Sequence, residues 1–425
     1  MTETGSHVVM YWPGFGALLP SQSLKACVDH LDDLHVANLV EKMSNLYELE
    51  KDRMRIMRDC MGQYFDRIIE ATEHKNTVTD GCLRALTKFG NIPLVILEGK
   101  NELGSGGCEP LQQSISMYCH LLQECKSIIE VCNAPCLLIQ LVGPYIFAYG
   151  CVHVGLKLHV DLLDQVCMLH MPDDPSHLEK LVCFWHAVKT VISSLVAYYT
   201  GLGTSVPTRA FTQLAYPSVC PEVTFTAAIK RNVFRGNLAD DQAVIVKIVP
   251  RYGQAAHVIC QQYAPALLAC REVPGTYFWV VIMSDLTATK EGTRTLGEFL
   301  TSAKHAEKEI VRQQCRAALA LLHQENFVHG DFRTCNILVF RENGAPRIAL
   351  IDFDWSEREG IATYPFFLNR VDFIWPAHPR GKIKKEHDLA WLEVAFGIQV
   401  CTITIYVAET IGFLCFSQAP VGMEV

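Results

Sequence analysis

Three polar residues in the last third of the chain have the types and the spacing that phosphoryl transfer requires. Asp331 stands five residues before Asn336 in the segment FVHGDFRTCNILV, and Asp352 follows in IALIDFD. The reaction needs one carboxylate that orients the attacking hydroxyl, and a second carboxylate with an amide oxygen that holds Mg²⁺. The pattern therefore predicts Asp331 as the base, with Asn336 and Asp352 as the metal ligands.

Apolar runs on both sides of these residues predict the strands that hold them in place. The runs FV, NILVF and IALI flank the two polar segments, and each is short and rich in β-branched or aromatic residues. A site that must keep its side chains in one geometry needs rigid elements of this kind.

Together, the two segments resemble the catalytic loop and the DFG segment of the protein-kinase-like fold. His329-Gly330-Asp331 replaces His-Arg-Asp, as it does in aminoglycoside and choline kinases. The resemblance implies that Arg333 neutralises the transferred phosphoryl group and that His329 supports the loop. Asp354 stands where the last glycine of DFG would be, which puts the flexibility of the following segment in doubt.

Lys247 is a single charge inside the apolar run AVIVKIV, which predicts a strand. A lysine that reaches solvent from an edge strand is one interpretation. The kinase resemblance implies instead that Lys247 contacts the α and β phosphates of ATP. It also implies a hinge near residues 282–286, where Met283 and Asp285 are expected to bind ATP.

The sequence departs from the kinase pattern in two places. No GxGxxG motif precedes Lys247, so a glycine-rich loop over the phosphates is not evident. The helix predicted at 252–262 offers Gln254 and His257 but no glutamate to pair with Lys247. A pseudokinase scaffold is therefore one alternative, and a small-molecule kinase, which the His-Gly-Asp motif suggests, is another.

A further set of motifs extends the resemblance toward the C-terminus. HGDxRxxNILV, IDFDW, Tyr364-Pro365 and IKKEHDL together resemble the fungal-type kinase-like domains of Crinkler-type proteins. This resemblance implies phosphorylation of Ser or Thr in proteins, and it makes Asp388 the helix residue that holds the backbone of the catalytic loop. An Asp that is merely favoured by the positive end of a helix is the alternative for Asp388.

The N-terminal half contains a weaker constellation. Asp80 precedes an apolar strand that ends in Glu98 and Lys100, and Gln113 follows on a predicted helix. Residues two apart on a strand share one face, so Glu98 and Lys100 can point into the same cleft. Asp80 and Glu98 are suited to hold Mg²⁺, and Lys100 to orient an attacking water.

This order of elements resembles the restriction-endonuclease-like fold, in which Gln113 would match the helical Gln of RecB-like members. The resemblance implies a metal-dependent nuclease or its inactive relic, with nucleic acid as a partner. The alternative is an exposed strand end with ordinary charges, since a lone Glu-x-Lys is common. Tyr118 lies near Gln113 in the sequence. The sequence shows no Lys/Arg stripe with interleaved aromatics.

Composition limits the remaining classes. The chain has 425 residues, 50% of them hydrophobic, and a formal charge of -8, which exclude wholesale disorder and a generally basic polyanion binder. Its 18 cysteines contain no CxxC pair, so they are interpreted mainly as small core residues in a reducing compartment.

The predicted fold class is α+β, with a bilobal protein-kinase-like domain at the C-terminus. The predicted organisation is an N-terminal extension (1–27), a mixed α/β domain (28–200), a linker (201–221), the kinase-like domain (222–395) and a hydrophobic tail (396–425). ATP and Mg²⁺ are the expected cofactors, and a protein substrate is the expected partner.

Localisation is expected to be cytoplasmic or nuclear, because the N-terminus lacks a basic region and its apolar stretch is broken by Pro13. The apolar run from Phe396 to Phe416 has the length of a membrane span, but Glu409 would lie deep in the bilayer at a cost of roughly 2.5–3.5 kcal/mol. A membrane partner is therefore not expected.

Overall fold

The computed structural model describes residues 6–23, 30–74, 77–102, 109–171, 173–202, 211–370, 373 and 375–397. It is a mixed α+β structure with several sheets. Two compact units divide it: unit 1 comprises Met1–Arg231 with Glu272–Tyr277, and unit 2 comprises Asn232–Arg271 with Phe278–Val425. The division thus falls later in the chain than the predicted linker.

Unit 1 contains five helices and seven strands within the described residues. The helices are α1 (Pro20–Ser23), α2 (His30–Met43), α3 (Glu50–Phe65), α4 (Pro110–Glu124) and α5 (Pro175–Gly201). The strands are β1 (Glu70–His74), β2 (Thr77–Thr87), β3 (Gly90–Lys100), β4 (Cys136–Val142), β5 (Tyr145–Val154), β6 (Lys157–Cys167) and β7 (Thr224–Lys230). The predicted strand that ends at Glu98 and Lys100 corresponds to β3, and the predicted helix that carries Gln113 corresponds to α4.

The sheet of unit 1 has the order β1-β2-β3-β4-β5-β6. All neighbouring pairs described are antiparallel except β3 and β4, which run parallel because α4 returns the chain between them. Every residue of β4 is buried, as expected of a run that is apolar throughout and central in the sheet. The carboxyl end of β3, which carries Glu98 and Lys100, therefore lies beside that of β4.

Residues 8–18 contribute to the core of unit 1. Short 3₁₀ helices at Val8–Met10 and Pro13–Leu18 bury apolar side chains, among them Phe15, which has no exposed surface. A side-chain carbon at Gly150 of β5 would come within 2.8 Å of Val8 and 3.0 Å of Phe15. Val8 and Phe15, which belong to the predicted extension, therefore pack on the sheet.

Among the described helices, α5 alone is long and apolar enough to cross a bilayer. Half of its most apolar 18-residue stretch is buried inside unit 1. The fully buried side chains include Trp185 and Leu195, and Tyr199 donates a hydrogen bond of 2.7 Å to the Pro135 carbonyl. Within the structure, α5 is thus a core helix.

Unit 2 contains the remaining elements. Its helices are α6 (Gln254–Ile259), α7 (Leu286–Thr289), α8 (Leu296–Ser302), α9 (His305–Gln324) and α10 (Lys385–Ala395). Its first four strands are β8 (Val233–Asn237), β9 (Ala243–Val249), β10 (Leu267–Glu272) and β11 (Trp279–Ser284). Its other strands are β12 (Arg294–Thr295), β13 (Phe327–Val328), β14 (Ile337–Glu342), β15 (Ala345–Leu350) and β16 (Glu357–Arg358).

Two parts of unit 2 carry the predicted phosphotransfer residues. Strands β10-β11-β9-β8 are neighbours in one sheet, and β9 is paired on both edges, so Lys247 lies on a central strand. The second part packs around α9, whose residues Val311, Cys315, Leu319 and Leu322 recur at helical spacing and are fully buried. The antiparallel pair β14–β15 and the pair β13–β16 pack in the same core.

The cysteines within the described residues are free thiols, and most are buried, which agrees with their interpretation as small core residues. The chain beyond residue 397, which holds most of the predicted hydrophobic tail, lies outside the described residues.

The burial of Phe15 in the core of unit 1 leads to a stability prediction. Phe15→Ala is expected to lower the free energy of unfolding by about 3–5 kcal/mol, because it leaves a cavity in the core of unit 1. Leu46→Ala is the control, since Leu46 is fully exposed, and is expected to change stability by less than about 0.5 kcal/mol. Urea unfolding of the full chain checks both, and equal stabilities would show that the segment does not belong to the core.

Candidate functional sites

Asp388 holds the loop that carries the predicted base. Its carboxylate accepts hydrogen bonds from the backbone N–H groups of His329 at 2.8 Å and Gly330 at 2.9 Å, and it is fully buried. His323 of α9 lies 3.1 Å from the same carboxylate. Gly330 has a φ of +85°, and a side-chain carbon there would come within 3.0 Å of the Trp355 carbonyl oxygen. The path of the loop thus requires glycine at this position.

Asp331, Arg333 and Asn336 form one hydrogen-bonded network. Arg333 pairs with Asp331 in a bidentate manner, its NH2 group lying 2.7 Å from Oδ2 and its Nε bonding Oδ1. The side-chain amide of Asn336 donates to Asp331 Oδ2 at 2.8 Å and to the Asp331 carbonyl at 3.0 Å. The three residues that the resemblance placed on one loop are therefore in mutual contact.

Aromatic rings hold the other side of Arg333. Its guanidinium lies 4.7 Å from the ring centre of Phe373 and 5.1 Å from that of Trp375. Burial alone would lower the pKa of Arg333, but the bonds to Asp331 outweigh it and the pKa lies above its ordinary value. Arg333 is thus a fixed cation beside the predicted base, with a planar fork that Lys would not reproduce.

Lys247 joins the sheet to the segment after β15. Its ammonium lies 2.5 Å from Asp352 Oδ1 and 2.7 Å from Asp354 Oδ1. Asp352 has a φ of +70°, which aims its side chain away from the direction of β15. One cation therefore bridges two carboxylates that stand two residues apart.

The charges in this cluster influence each other strongly. Burial would lower the pKa of Lys247, but Asp354 and Asp352 raise it above its ordinary value. Burial raises the pKa of Asp354 to about 6, with Asp352 adding to the rise and Lys247 opposing it. The cluster therefore carries more negative than positive charge once both carboxylates are ionised.

The helix beside β9 supplies no carboxylate to Lys247. Gln254 is exposed, and the buried face of α6 presents His257. His257 accepts from the Tyr252 hydroxyl at 2.6 Å through Nδ1 and donates to the Pro265 carbonyl at 2.7 Å through Nε2. Its ring stacks on Phe353 at a centroid distance of 4.7 Å. The helix is thus tied to Phe353 by stacking and not to Lys247 by charge.

His329 connects the loop to the segment that follows Asp352. Its ring is buried, packs edge-on against Phe332 and lies 5.1 Å from the Phe353 ring. Ser356 donates a hydrogen bond of 2.8 Å to the His329 carbonyl. Burial is the main cause that lowers the pKa of His329, and the charges of Asp388 and Asp331 oppose it. The ring also accepts a hydrogen bond of 3.3 Å from the Asp331 N–H through Nδ1.

Met283 and Asp285 lie at the end of β11, where ATP contacts were expected. Met283 is buried against Val249 and Val281. The Asp285 carboxylate caps α7 by accepting from the Thr287 and Ala288 N–H groups, and it pairs with Arg235 at 2.6 Å. The structure thus gives the Asp285 side chain a capping role, because it is fully buried and engaged within the protein.

The residues present fit a hard divalent cation. The Ile351 N–H donates to the Asn336 carbonyl at 2.9 Å, which places Asn336 beside Asp352. A carboxylate and an amide oxygen are ligands that Mg²⁺ prefers, and the excess negative charge around Lys247 favours a cation. Within the described residues no group of three His, Cys, Asp or Glu side chains could hold a metal, so water or phosphate oxygens would complete the coordination.

Unit 1 brings its three predicted residues together at the ends of β2 and β3. Asp80 accepts a hydrogen bond of 2.9 Å from the Gly99 N–H, which lies between Glu98 and Lys100. Lys100 pairs with Glu50, at the start of α3, at 2.9 Å. Glu98 is 1% exposed, and neither of its carboxylate oxygens has a hydrogen-bond partner.

This arrangement raises the pKa values of both acids. Burial raises the pKa of Glu98 to about 8, and the charge of Asp80 adds to the rise. Burial is also the largest cause of the raised pKa of Asp80. An unpaired buried carboxylate is costly, so Glu98 takes up a proton unless a cation compensates its charge.

Two glutamines lie near this cluster with different surroundings. Gln113 donates a hydrogen bond of 2.7 Å to the Val78 carbonyl, which belongs to the backbone of β2. Gln140 of β4 stands in register with Glu98, is 2% exposed, and has no hydrogen-bond partner at Nε2. In-register residues on neighbouring strands share a face, so Gln140 belongs to the same side of the sheet as Glu98.

Sequence reasoning missed three of these residues. Asp354 was noted only as a departure from DFG, although its position two residues after Asp352 could have suggested a shared face. Glu50 lies fifty residues before Lys100, and no local pattern links them. Gln140 follows from the parallel register of β3 and β4, which the sequence does not specify.

Comparison with known proteins bears on unit 2. Residues 262–363 match the model of the lipopolysaccharide kinase (Kdo/WaaP) family, a protein-kinase-like family. The matched range includes Asp331, Asn336 and Asp352 but begins after Lys247. No curated protein matches the chain significantly. The match confirms a kinase-like domain in the C-terminal half, and it implies a phosphotransferase that uses ATP. The Crinkler-type grouping and the endonuclease-like domain stay predictions.

The buried His257 leads to a prediction on pH. Burial is the main cause that lowers its pKa, and a second cause is the nearby His329, while the Pro265 carbonyl opposes them. Below the unfolded pKa of about 6.5, the unfolded chain binds a proton that the folded chain does not, so stability falls as pH falls. His257→Gln is expected to reduce the loss of stability between about pH 7.5 and pH 5.5.

Urea unfolding at a series of pH values measures this effect. His305→Gln is the matched control, because His305 is exposed at the start of α9. The control is expected to keep the wild-type dependence on pH. Identical slopes for all three proteins would show that His257 is protonated equally in both states.

Proposed function

We propose that unit 2 is an ATP- and Mg²⁺-dependent phosphotransferase that acts on the hydroxyl of Ser or Thr in a protein. The observation that carries the proposal is the joint placement of Asp331, Asn336, Asp352 and Lys247 around one site. Asp331 would accept the proton of the attacking hydroxyl, and Lys247 would bind phosphate oxygens of ATP. Asn336 and Asp352 would hold Mg²⁺, which offsets the charge of the transferred phosphoryl group.

The network around Asp331 supports its role as base. Arg333 and the Asn336 amide orient both carboxylate oxygens, so the side chain needs little reorganisation during the reaction. Arg333 keeps a positive charge next to the position where the phosphoryl group would pass. Because it already pairs with Asp331, Arg333 would act on the phosphoryl group only from that fixed position.

Surface features after β15 support a protein acceptor. Ile361, Phe366 and Phe367 are 61%, 64% and 89% exposed. An apolar surface of this kind suits peptide side chains better than a strongly hydrated sugar. A sugar hydroxyl is the second acceptor class, because the matched family is described as lipopolysaccharide kinases.

Two substitutions test the phosphotransfer function. Asp352→Asn is expected to abolish Mg²⁺-dependent binding of ATP, since it removes a metal ligand. Asp331→Asn is expected to keep ATP binding but to lower phosphoryl transfer by at least about 10²-fold, because general base catalysis is lost. The measurements are ATP affinity with and without Mg²⁺, and transfer of labelled phosphate to a protein mixture, choline, aminoglycosides and sugars.

Asp240→Asn is the matched control, because Asp240 is exposed in the turn before β9. It should behave as wild type in both assays. Transfer by Asp331→Asn at the wild-type rate would overturn the assignment of the base. Tight binding of ATP without transfer to any acceptor would instead favour a pseudokinase scaffold.

We propose a metal-dependent nuclease site in unit 1 as a second function. Glu98 favours it, because a buried carboxylate without a hydrogen-bond partner is tolerated where a cation binds. Asp80 and Glu98 would hold the cation, and Lys100 would face the phosphate that is attacked. Glu50, which pairs with Lys100, would keep the ammonium in place. Nucleic acid would then be a partner, in the cytoplasm or nucleus.

Metal binding and strand cleavage test this second site. Glu98→Gln is expected to abolish Mn²⁺ binding by unit 1 in titration calorimetry on a chain that also carries Asp352→Asn. Lys100→Ala is expected to abolish Mg²⁺-dependent nicking of plasmid DNA, whereas Lys51→Ala, an exposed neighbour of Glu50, should not. Nicking that survives Lys100→Ala would rule out the assigned site.

A further inference from the structure

The two ion pairs of Lys247 are expected to have different roles once a nucleotide binds. Asp352 and Asp354 both lie within 2.7 Å of the Lys247 ammonium. Asp352 is the carboxylate that the proposed function gives to the metal. A metal ligand cannot at the same time be the main partner of a lysine, because its negative charge is then shared with the cation.

Other partners for Lys247 are not available on the neighbouring helix. The described residues of α6 include no acid, and the buried position on that helix is occupied by His257, both of whose ring nitrogens are hydrogen-bonded. Phe353 fills the space beside His257 by ring stacking. A carboxylate that orients Lys247 from α6 is therefore excluded in this chain.

The backbone fixes Asp354 opposite Lys247. Phe353, Asp354 and Trp355 form one 3₁₀ turn, and the Ser356 N–H bonds the Phe353 carbonyl at 3.1 Å. The Gly253 N–H also donates to the Phe353 carbonyl at 2.9 Å, which ties this turn to the start of α6. Lys247 is held in turn on a strand that is paired at both edges.

We propose that Asp354 is the positioning residue for Lys247, in the place of a helix carboxylate. When Asp352 turns to the metal, Asp354 remains as the counter-charge that keeps the ammonium over the nucleotide phosphates. The second acidic residue of IDFD is thus part of nucleotide binding through Lys247, and not a ligand of the metal. This inference rests on the proposed phosphotransfer function.

A double-mutant cycle of Asp354 and Lys247 tests this proposal. The measured quantity is the affinity for a non-hydrolysable ATP analogue in the presence of Mg²⁺. Asp354→Asn is expected to weaken binding about tenfold or more, whereas Asp354→Glu, which keeps the charge, should recover most of the affinity. In a Lys247→Met background, Asp354→Asn should change affinity less than about twofold, because the residue acts through the lysine. Asp240→Asn is again the control.

The dependence on Mg²⁺ separates the two roles of a carboxylate. For a positioning residue, the Mg²⁺ concentration that gives half-maximal binding stays near the wild-type value in Asp354→Asn. A marked increase in that concentration, or a loss of affinity that adds in full to that of Lys247→Met, would overturn the proposal and make Asp354 a metal ligand. Wild-type affinity in Asp354→Asn would overturn it as well.

These results are distinguishable from a failure of the proposed function. Absence of binding by the wild-type chain, folded as judged by circular dichroism, would overturn the phosphotransfer function and this inference together. Binding that Asp352→Asn abolishes but Asp354→Asn leaves unchanged would overturn the inference alone. If Asp354→Asn does not fold, Asp354→Ser takes its place in the same cycle.

Discussion

The single positive charge of Lys247 between two carboxylates is the constraint on which the site of unit 2 depends. Three ionisable groups meet within 2.7 Å in a largely buried space, and their charges do not cancel. Such a cluster is stable only if the partners are held by rigid elements, since removing either sign leaves a buried charge without compensation. The central position of β9 and the turn at 353–355 provide that rigidity. The same excess negative charge supports the proposal that the site binds Mg²⁺.

Asp388 plays a corresponding part for the backbone of the catalytic loop. One buried carboxylate of α10 binds two successive N–H groups of a loop that cannot form strand hydrogen bonds there. The loop then presents Asp331 toward Arg333 and Asn336. Asn336 directly precedes β14, and Asp352 follows the end of β15, its antiparallel partner. The position of the predicted base Asp331 thus depends on Asp388, which lies 57 residues later in the chain.

Much of this arrangement could be predicted because its signals are local. The spacing of Asp331 and Asn336, and the apolar runs around them, specify a loop between short strands, and the kinase-like domain is confirmed at the level of the family match. The partner of Lys247 could not be predicted, because it depends on how a strand meets a turn more than a hundred residues away. The packing of Phe15 on the sheet was missed for the same reason, since a short apolar segment does not show what it will contact.

The two units treat buried carboxylates in opposite ways. In unit 2, Asp331, Asp352 and Asp388 each have a cation or backbone N–H groups as partners. In unit 1, burial raises the pKa of Glu98 to about 8, with the charge of Asp80 adding to the rise and that of Lys100 opposing it. An acid of this kind destabilises the folded chain above its unfolded pKa, because folding then requires a proton to be taken up. Replacement by Gln or Leu would remove that cost, and so would a cation bound beside Asp80 and Glu98, as the proposed nuclease site requires.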